Sequence, residues 1–275
     1  MATAKKAPAK SAGKAGTAIV RWDEKFSKYA KESKEQVANV GTGGGVSVSF
    51  GHGTITVAGS VIKSGKMECV VVGSCALNKW YKTQYNPDDR QPPDCYALAV
   101  ISDDPDMAPH AQASDKQSAK CADCEKNQFG TANTGRGKAC GNTIRLALLT
   151  GEDASDAESV AAAELATASV SPTNRKYYSE YVDTLLEEHG RPPWAVVTEV
   201  QSHHDDKTQI RLEFRMVSLI EDDDVLTALE KRFLKVQDFL QKPFSAPIER
   251  AKAPASKAKA GGSQRFAGKK AAGKR

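Results

Sequence analysis

Four cysteines carry the clearest chemical signal in this sequence: Cys95, Cys121, Cys124 and Cys140, spaced Cys-x25-Cys-x2-Cys-x15-Cys. Thiolates are soft ligands, and four of them converging at about 2.3 Å hold a structural zinc ion. A Cys-x2-Cys turn presents two sulfurs to one ion, and the two outlying cysteines close chain segments around it. Four protein ligands leave no position for water, so the spacing predicts structural rather than catalytic Zn2+. The same residues also fit two other readings: unligated or redox-active thiols, or a set in which His110 replaces one cysteine. A nucleobase-deaminase site is excluded, because it needs His-x-Glu ahead of its Cys-x2-Cys. None of the five histidines is followed by Glu at that spacing. Cys69 and Cys75 fall in an apolar run and read as small buried hydrophobes.

A second set of residues suits nucleic acid. Lys79, Trp80, Tyr81, Lys82 and Tyr85 interleave aromatic rings with cations. Single-stranded nucleic acid is bound in this way, with bases stacked on rings and phosphates paired with Lys. The alternative is a partly buried aromatic cluster that packs the cysteine segment onto the rest of the fold. Phe129 lies inside the cysteine segment, and Arg136, Lys138 and Arg145 are further candidates for phosphate contact. Gly135-Arg-Gly-Lys138 is not a P-loop: Ala132 stands where the first Gly belongs, and Ala139 where Ser or Thr does. His203-His204-Asp205-Asp206 reads as a polar hairpin turn, although it is the one place where a divalent ion for nuclease chemistry would fit. Asp103, Asp104 and Asp106 beside Pro105 read as loop acids. No catalytic residues are assigned.

The elements that hold these residues follow from periodicity. Apolar spacing predicts a helix over 19–38, through Trp22, Phe26, Tyr29 and Val37. Gly41–Gly45 follows as a linker or strand entry. Alternation then predicts strands at 46–50 and 54–57, and an apolar run predicts a third at 67–75. Residues 86–143 are rich in Pro, Asp and Gly and cannot form a core by apolar burial alone. They read as an insertion held together by metal, since zinc binding contributes folding free energy directly. Strand character returns at 144–149. Residues 151–162 read as a polar loop or short helix. Ser171-Pro172 signals a helix start, and the helix runs to Gly190. Strands at 194–200 and 209–219 flank a turn at 201–207. Asp222–Asp224 cap a last helix with the stripe Val225, Leu229, Phe233, Val236 and Leu240, ended by Pro243. The expected fold is mainly β with flanking helices (α+β). A small Greek-key barrel of the OB type, with a helix before its last hairpin and an inserted zinc-binding knuckle, fits best; a plain α+β sheet is the alternative.

Charge is distributed unevenly over the 275 residues. The net charge of +5 averages a mildly acidic body with two basic ends. Residues 1–16 carry four Lys and residues 251–275 carry eight Lys or Arg, with no acid in either. Without these twelve, 27 basic face 34 acidic residues, a net of −7. Richness in Ala, Gly, Lys, Ser and Pro without apolar periodicity predicts disordered tails at 1–18 and 246–275 around one domain at 19–245. Basic tails attract nucleic acid, or else serve only as solubilising segments. No apolar run is long enough for a membrane span, and no apolar stretch follows the N-terminal lysines as a secretory signal would. A reducing cytoplasm is expected, with free or metal-bound cysteines.

With those residues in view, the chain resembles a family of tailed-phage single-stranded DNA-binding proteins. The likeness runs from about Met67 to Leu149. It comprises Trp80-Tyr81, Pro92-Pro93-Asp94-Cys95, Cys121-x2-Cys124-x2-Asn127-x-Phe129-Gly130, Gly137-Lys138-Ala139-Cys140 and Arg145-Leu146. A weaker echo is Ser171-Pro172-Thr173 with Tyr178 and Tyr181, then Val197-Thr198. The resemblance implies an OB-like core with an inserted knuckle, serving DNA replication or recombination in the host cytoplasm, with partners among the proteins of those processes. Many such proteins end in an acidic tail that recruits partners, whereas this chain ends in a basic one. A zinc-stabilised interaction or virion-associated protein is the main alternative, and a metal-dependent nuclease the next.

Overall fold

A computed structural model describes residues 25, 26, 29, 46–83, 91–101, 104–133 and 135–244. The basic tails, the Gly41–Gly45 linker, Tyr85 and Asp103 lie outside the described residues.

The fold is mainly β: one curled, half-barrel sheet with three helices. The strands are β1 (Val46–Gly51), β2 (Thr54–Val57), β3 (Ser60–Ile62), β4 (Lys66–Trp80), β5 (Cys95–Ala99), β6 (Gly141–Thr150), β7 (Ala166–Val170), β8 (Val196–Asp205) and β9 (Gln209–Leu219). The helices are α1 (Ala157–Ala162), α2 (Arg175–His189) and α3 (Asp223–Leu240). The order across the sheet is β3-β2-β1-β7-β6-β4-β8-β9, with β5 added to β4. All pairs are antiparallel except β1 with β7. Among the described residues, no helix is long and apolar enough to cross a membrane.

β4 organises the sheet. Its fifteen residues are nearly all buried because both faces are covered, which is why the sequence reads as a continuous apolar run rather than an alternation. One edge pairs with β6 along almost its whole length. The other edge is shared, with Lys66–Cys69 paired to β8 and Ala76–Trp80 to β5. A bulge between Val71 and Gly73 bends the strand between these partners. At the bend α3 comes so close that a Cβ on Gly73 would lie 2.6 Å from Val236 Cγ1. The expected stripe of α3 is buried against the sheet, and Asp222 caps the helix by accepting from the amides of Asp224 and Val225. Phe26 and Tyr29, both helical, pack edge-on against Trp194.

The structure differs from the sequence reading in several places. Residues 86–143 are not wholly an insertion, since Cys95–Ala99 forms β5 and belongs to the sheet. The segment also has a small core of its own, in which Met107 and Cys121 pack on Ala76, Ala97 and Ala99. Helix α2 starts at Arg175, after a turn at 171–174. Its N-terminal Asn174 side chain is used elsewhere, donating to the Ile210 carbonyl and accepting from the Leu212 amide, which ties the helix to β9. Strand β8 continues through Asp205, so His203 and His204 lie in the strand and not in a turn. The turn is closed by Asp205, whose carboxylate accepts from the amides of Lys207 and Thr208.

Candidate metal centre and nucleic-acid surface

The four predicted cysteine ligands come together on one face of the β4–β5 ribbon. Cys95 sits opposite Trp80 at the end of that ladder. Cys121 and Cys124 flank a tight turn, with the Cys124 amide donating to the Cys121 carbonyl. A 3-10 turn follows at Glu125–Asn127, and the Cys140 amide returns to the Lys126 carbonyl at 2.7 Å. All four thiols are at least nine-tenths buried and line one cavity of about 10 Å3, together with Asn78 and Trp80. That volume holds roughly one water-sized body and excludes an organic ligand.

Asparagines brace this knuckle. The Asn127 amide donates to the Cys121 carbonyl at 2.9 Å. Its carbonyl oxygen accepts from Asn142 at 3.0 Å and from Lys138 at 3.4 Å. Asn142 also donates to Asn78 on β4. Asn78 in turn donates to the Met107 sulfur at 3.3 Å, and the Asn78 side chain and the Gln117 amide act to lower the pKa of the Cys121 and Cys95 thiols respectively. Such donors favour the thiolate form. Burial opposes them: it raises Cys95, pushes Cys121 up to about 11 and pushes Cys140 up to about 12, the neighbouring sulfurs adding to each shift. Among the described residues, no three or more His, Cys, Asp or Glu side chains are drawn in to metal-holding geometry. The four sulfurs share a cavity but are not closed to ligand distance. In donor type, number and burial they fit a soft divalent ion; in spacing they must still contract. Cys69 and Cys75 are fully buried in the main core, each pushed up to about 12 by that burial.

The expected nucleic-acid residues divide into four groups. Phe129 and Lys138 meet on the knuckle, and the Arg136 backbone carbonyl accepts from the Gly130 amide next to Phe129. Phe129 is 81% exposed, with the Lys138 ammonium 5.1 Å from its ring centre, and Arg136 is exposed. Lys79, Trp80, Tyr81 and Lys82 lie at the knuckle's base. Trp80 is half-buried and lines the thiol cavity. Lys79 is half-buried on the opposite face, its ammonium pKa lowered by that burial. Tyr81 is half-buried and Lys82 exposed, with the Lys82 amide fixed by the Asp94 carboxylate. Tyr85 lies outside the described residues. Arg145 requires correction. It has no exposed surface, and its Nη1 donates to the carbonyls of Leu240 and Lys242. It points into the layer between β6 and the chain leaving α3, where no phosphate reaches it.

Sequence reasoning missed one surface. A groove of about 320 Å3 runs between α2 and β9, lined by Tyr177, Tyr181, Phe214, Arg211, Arg215 and His189 among others. Tyr177 carries two cations on its ring, Lys176 at 4.6 Å and Arg211 at 4.9 Å. The available signal was the alternation of Arg211 and Arg215 with Phe214 and Met216 on an edge strand, but pairing it with Tyr177 requires the helix placement.

No protein-family model, curated protein or solved structure matches this chain.

Proposed function

We propose that this is a non-enzymatic single-stranded DNA-binding protein of the tailed-phage type, an OB-like half-barrel whose knuckle is clamped by one structural zinc ion. Cys95, Cys121, Cys124 and Cys140 would hold the metal. The observation that carries the reading is Phe129, an aromatic ring 81% exposed beside Lys138, with the exposed Arg136 in the same loop. A single exposed ring is ordinary on a protein surface, and it is the cation beside this one that gives it the character of a base-stacking platform. Stacking on a base with phosphates paired alongside is the contact that suits it. The helix before the last hairpin, and a β4 shared between β8 and β5, support the OB-like reading. The resemblance around the cysteines supports a role in replication or recombination. The proposal assigns the protein no catalytic step.

The test is a titration of zinc-replete protein with labelled single- and double-stranded DNA over a range of salt. Preference for single strands, weakened in Phe129→Ala, is the expected result. No binding at low salt would overturn the reading. It would favour the zinc-stabilised interaction protein, to which the body's net charge of −7 also points.

A further inference from the structure

Far from the knuckle, two histidines from distant parts of the chain face each other. His52 sits in the turn between β1 and β2, and His204 lies on β8. Their Nδ1 atoms are 3.2 Å apart and their ring centres 5.3 Å apart. The approach is built into the backbone. Ser202 Oγ donates to the Gly51 carbonyl at 2.5 Å, and the Ser202 amide donates to the Gly65 carbonyl at 2.8 Å. Gly65 has φ +64°, and a Cβ there would lie 2.6 Å from the Gly53 carbonyl oxygen and 2.9 Å from that of Ser202. Three chain segments therefore meet at backbone contact. The turn bearing His52 is held against the strand bearing His204.

The nitrogen spacing has a chemical meaning. Two imidazole nitrogens about 2.0–2.1 Å from a shared ion, at right-angled to tetrahedral geometry, lie roughly 2.9–3.4 Å apart. The observed 3.2 Å falls inside that bite. The far side of His204 is also occupied: Nε2 lies 3.3 Å from the Asp206 carboxylate. A carboxylate at that distance favours the tautomer with the proton on Nε2, in which the Nδ1 lone pair faces His52. Metal-ligating histidines are oriented in this way.

We propose that His52 and His204, through their Nδ1 atoms and with Asp206 behind His204, form a binding site for a late first-row divalent ion of the nickel, copper and zinc class. Nitrogen donors favour these ions over magnesium, which takes oxygen. Among the described residues, no third His, Cys, Asp or Glu completes the set, and the His204 side chain is 61% exposed. The remaining positions thus face solvent. The ion is exchangeable and clasps the β1–β2 turn to the last hairpin. The site is independent of the thiol cavity and of the DNA-binding proposal.

Cobalt(II) titration of the full chain, followed by backbone NMR, tests this. Paramagnetic broadening should centre on residues 51–53 and 202–206, saturate, and raise the melting temperature. Cobalt on the cysteines is recognised separately by its thiolate charge-transfer absorption. His52→Ala and His204→Ala, both at exposed positions, should each remove the broadening at these residues while circular dichroism stays unchanged. Asp206→Asn should weaken the affinity by about 10–100-fold. Broadening around 51–53 and 202–206 that survives in His204→Ala overturns the proposal. Broadening confined to the knuckle, or none at all, also overturns it and leaves the two rings sharing a proton.

Discussion

The Asn142 side-chain amide donates to the Asn127 carbonyl oxygen at 3.0 Å, joining the start of β6 to the 3-10 turn that follows the Cys-x2-Cys pair. Through Asn127 this bond reaches the Cys121 backbone, and through Asn78 it reaches β4. The proposed ligands are thus oriented by groups that would not touch the metal.

Asn127→Ala removes both sides of that brace. The Cys121 carbonyl keeps the Cys124 amide and Asn142 keeps Asn78, so the loss is that of ordinary hydrogen bonds, about 0.5–1.5 kcal/mol each. Losing an orienting group around a metal typically weakens its affinity by about 10–100-fold. A zinc-chelator competition assay should therefore show Asn127→Ala releasing zinc at lower chelator concentration than wild type. Equal release would mean that the knuckle holds its shape without Asn127.

Zinc removal should affect the molecule unevenly. The protein as purified should contain equimolar zinc, and Cys140→Ser should lower that content. Trp80 lines the thiol cavity, so its fluorescence should change on chelation. The pairing of β4 with β6 rests on fully buried side chains such as Val70, Val72, Leu146 and Leu149 and does not depend on the cysteines. Hydrogen exchange should rise over residues 104–140 and stay slow in these strands. Uniform unfolding on chelation, or a metal-free preparation with the same stability, would remove the structural role.

The elements that were legible from sequence are those whose own residues state their environment. The stripe Leu229, Phe233, Val236 and Leu240 on α3 is apolar at helical spacing and is buried as read. Strand β7 was not legible: Ala166-Thr-Ala-Ser-Val170 is short and small, and it is a strand because β1 and β6 lie on either side of it. Strand β5 was hidden for another reason, since Pro92, Pro93 and Cys95 mark its start as loop and ligand rather than as sheet. Arg145 shows the limit most clearly. Beside a basic loop it reads as a phosphate contact, and only the return of the chain after α3 buries it.

Arg145 leads to its own prediction. Among the described residues its Nε and Nη2 have no hydrogen-bond partner, and burial lowers its pKa to about 10. Arg145→Met should leave single-stranded DNA affinity unchanged, because the guanidinium does not reach solvent. It should also loosen residues 241–244, whose approach to the sheet includes the bond to the Lys242 carbonyl, visible as faster amide exchange there. A drop in DNA affinity at unchanged stability would restore the phosphate role.

Acid should weaken the last hairpin. The amides and hydroxyl around Asp205, chiefly those of Thr208, hold its carboxyl below the ordinary 3.8. A carboxylate held low in the folded state stabilises the fold above its unfolded value. That contribution is lost as pH falls through the lower folded value. Urea midpoints measured from about pH 5 down to about pH 2 should therefore decline. Asp205→Asn keeps an oxygen that can accept from Thr208 but does not titrate, so its decline should be shallower. Parallel curves for the two proteins would show that Asp205 carries no share of the acid sensitivity.

The knuckle tip allows the DNA proposal to be tested in two separable parts. Phe129→Ala removes a stacking platform worth about 1–3 kcal/mol per base, so single-stranded affinity should fall by roughly 5- to 150-fold with the salt dependence unchanged. The double change Arg136→Ala and Lys138→Ala removes two charges, and for single strands each contributes about 0.7 to the slope of log affinity against log salt. The slope should become shallower by about 1.4. Lys138 also reaches Asn127, so Lys138→Gln, which keeps a donor there, separates the charge from the brace. If the ring and the charges act as one contact, the two sets of changes will shift different observables on the same DNA. If neither observable moves, the DNA contact lies elsewhere on the protein, and the groove at Tyr177, Arg211 and Arg215 is the next surface to alter.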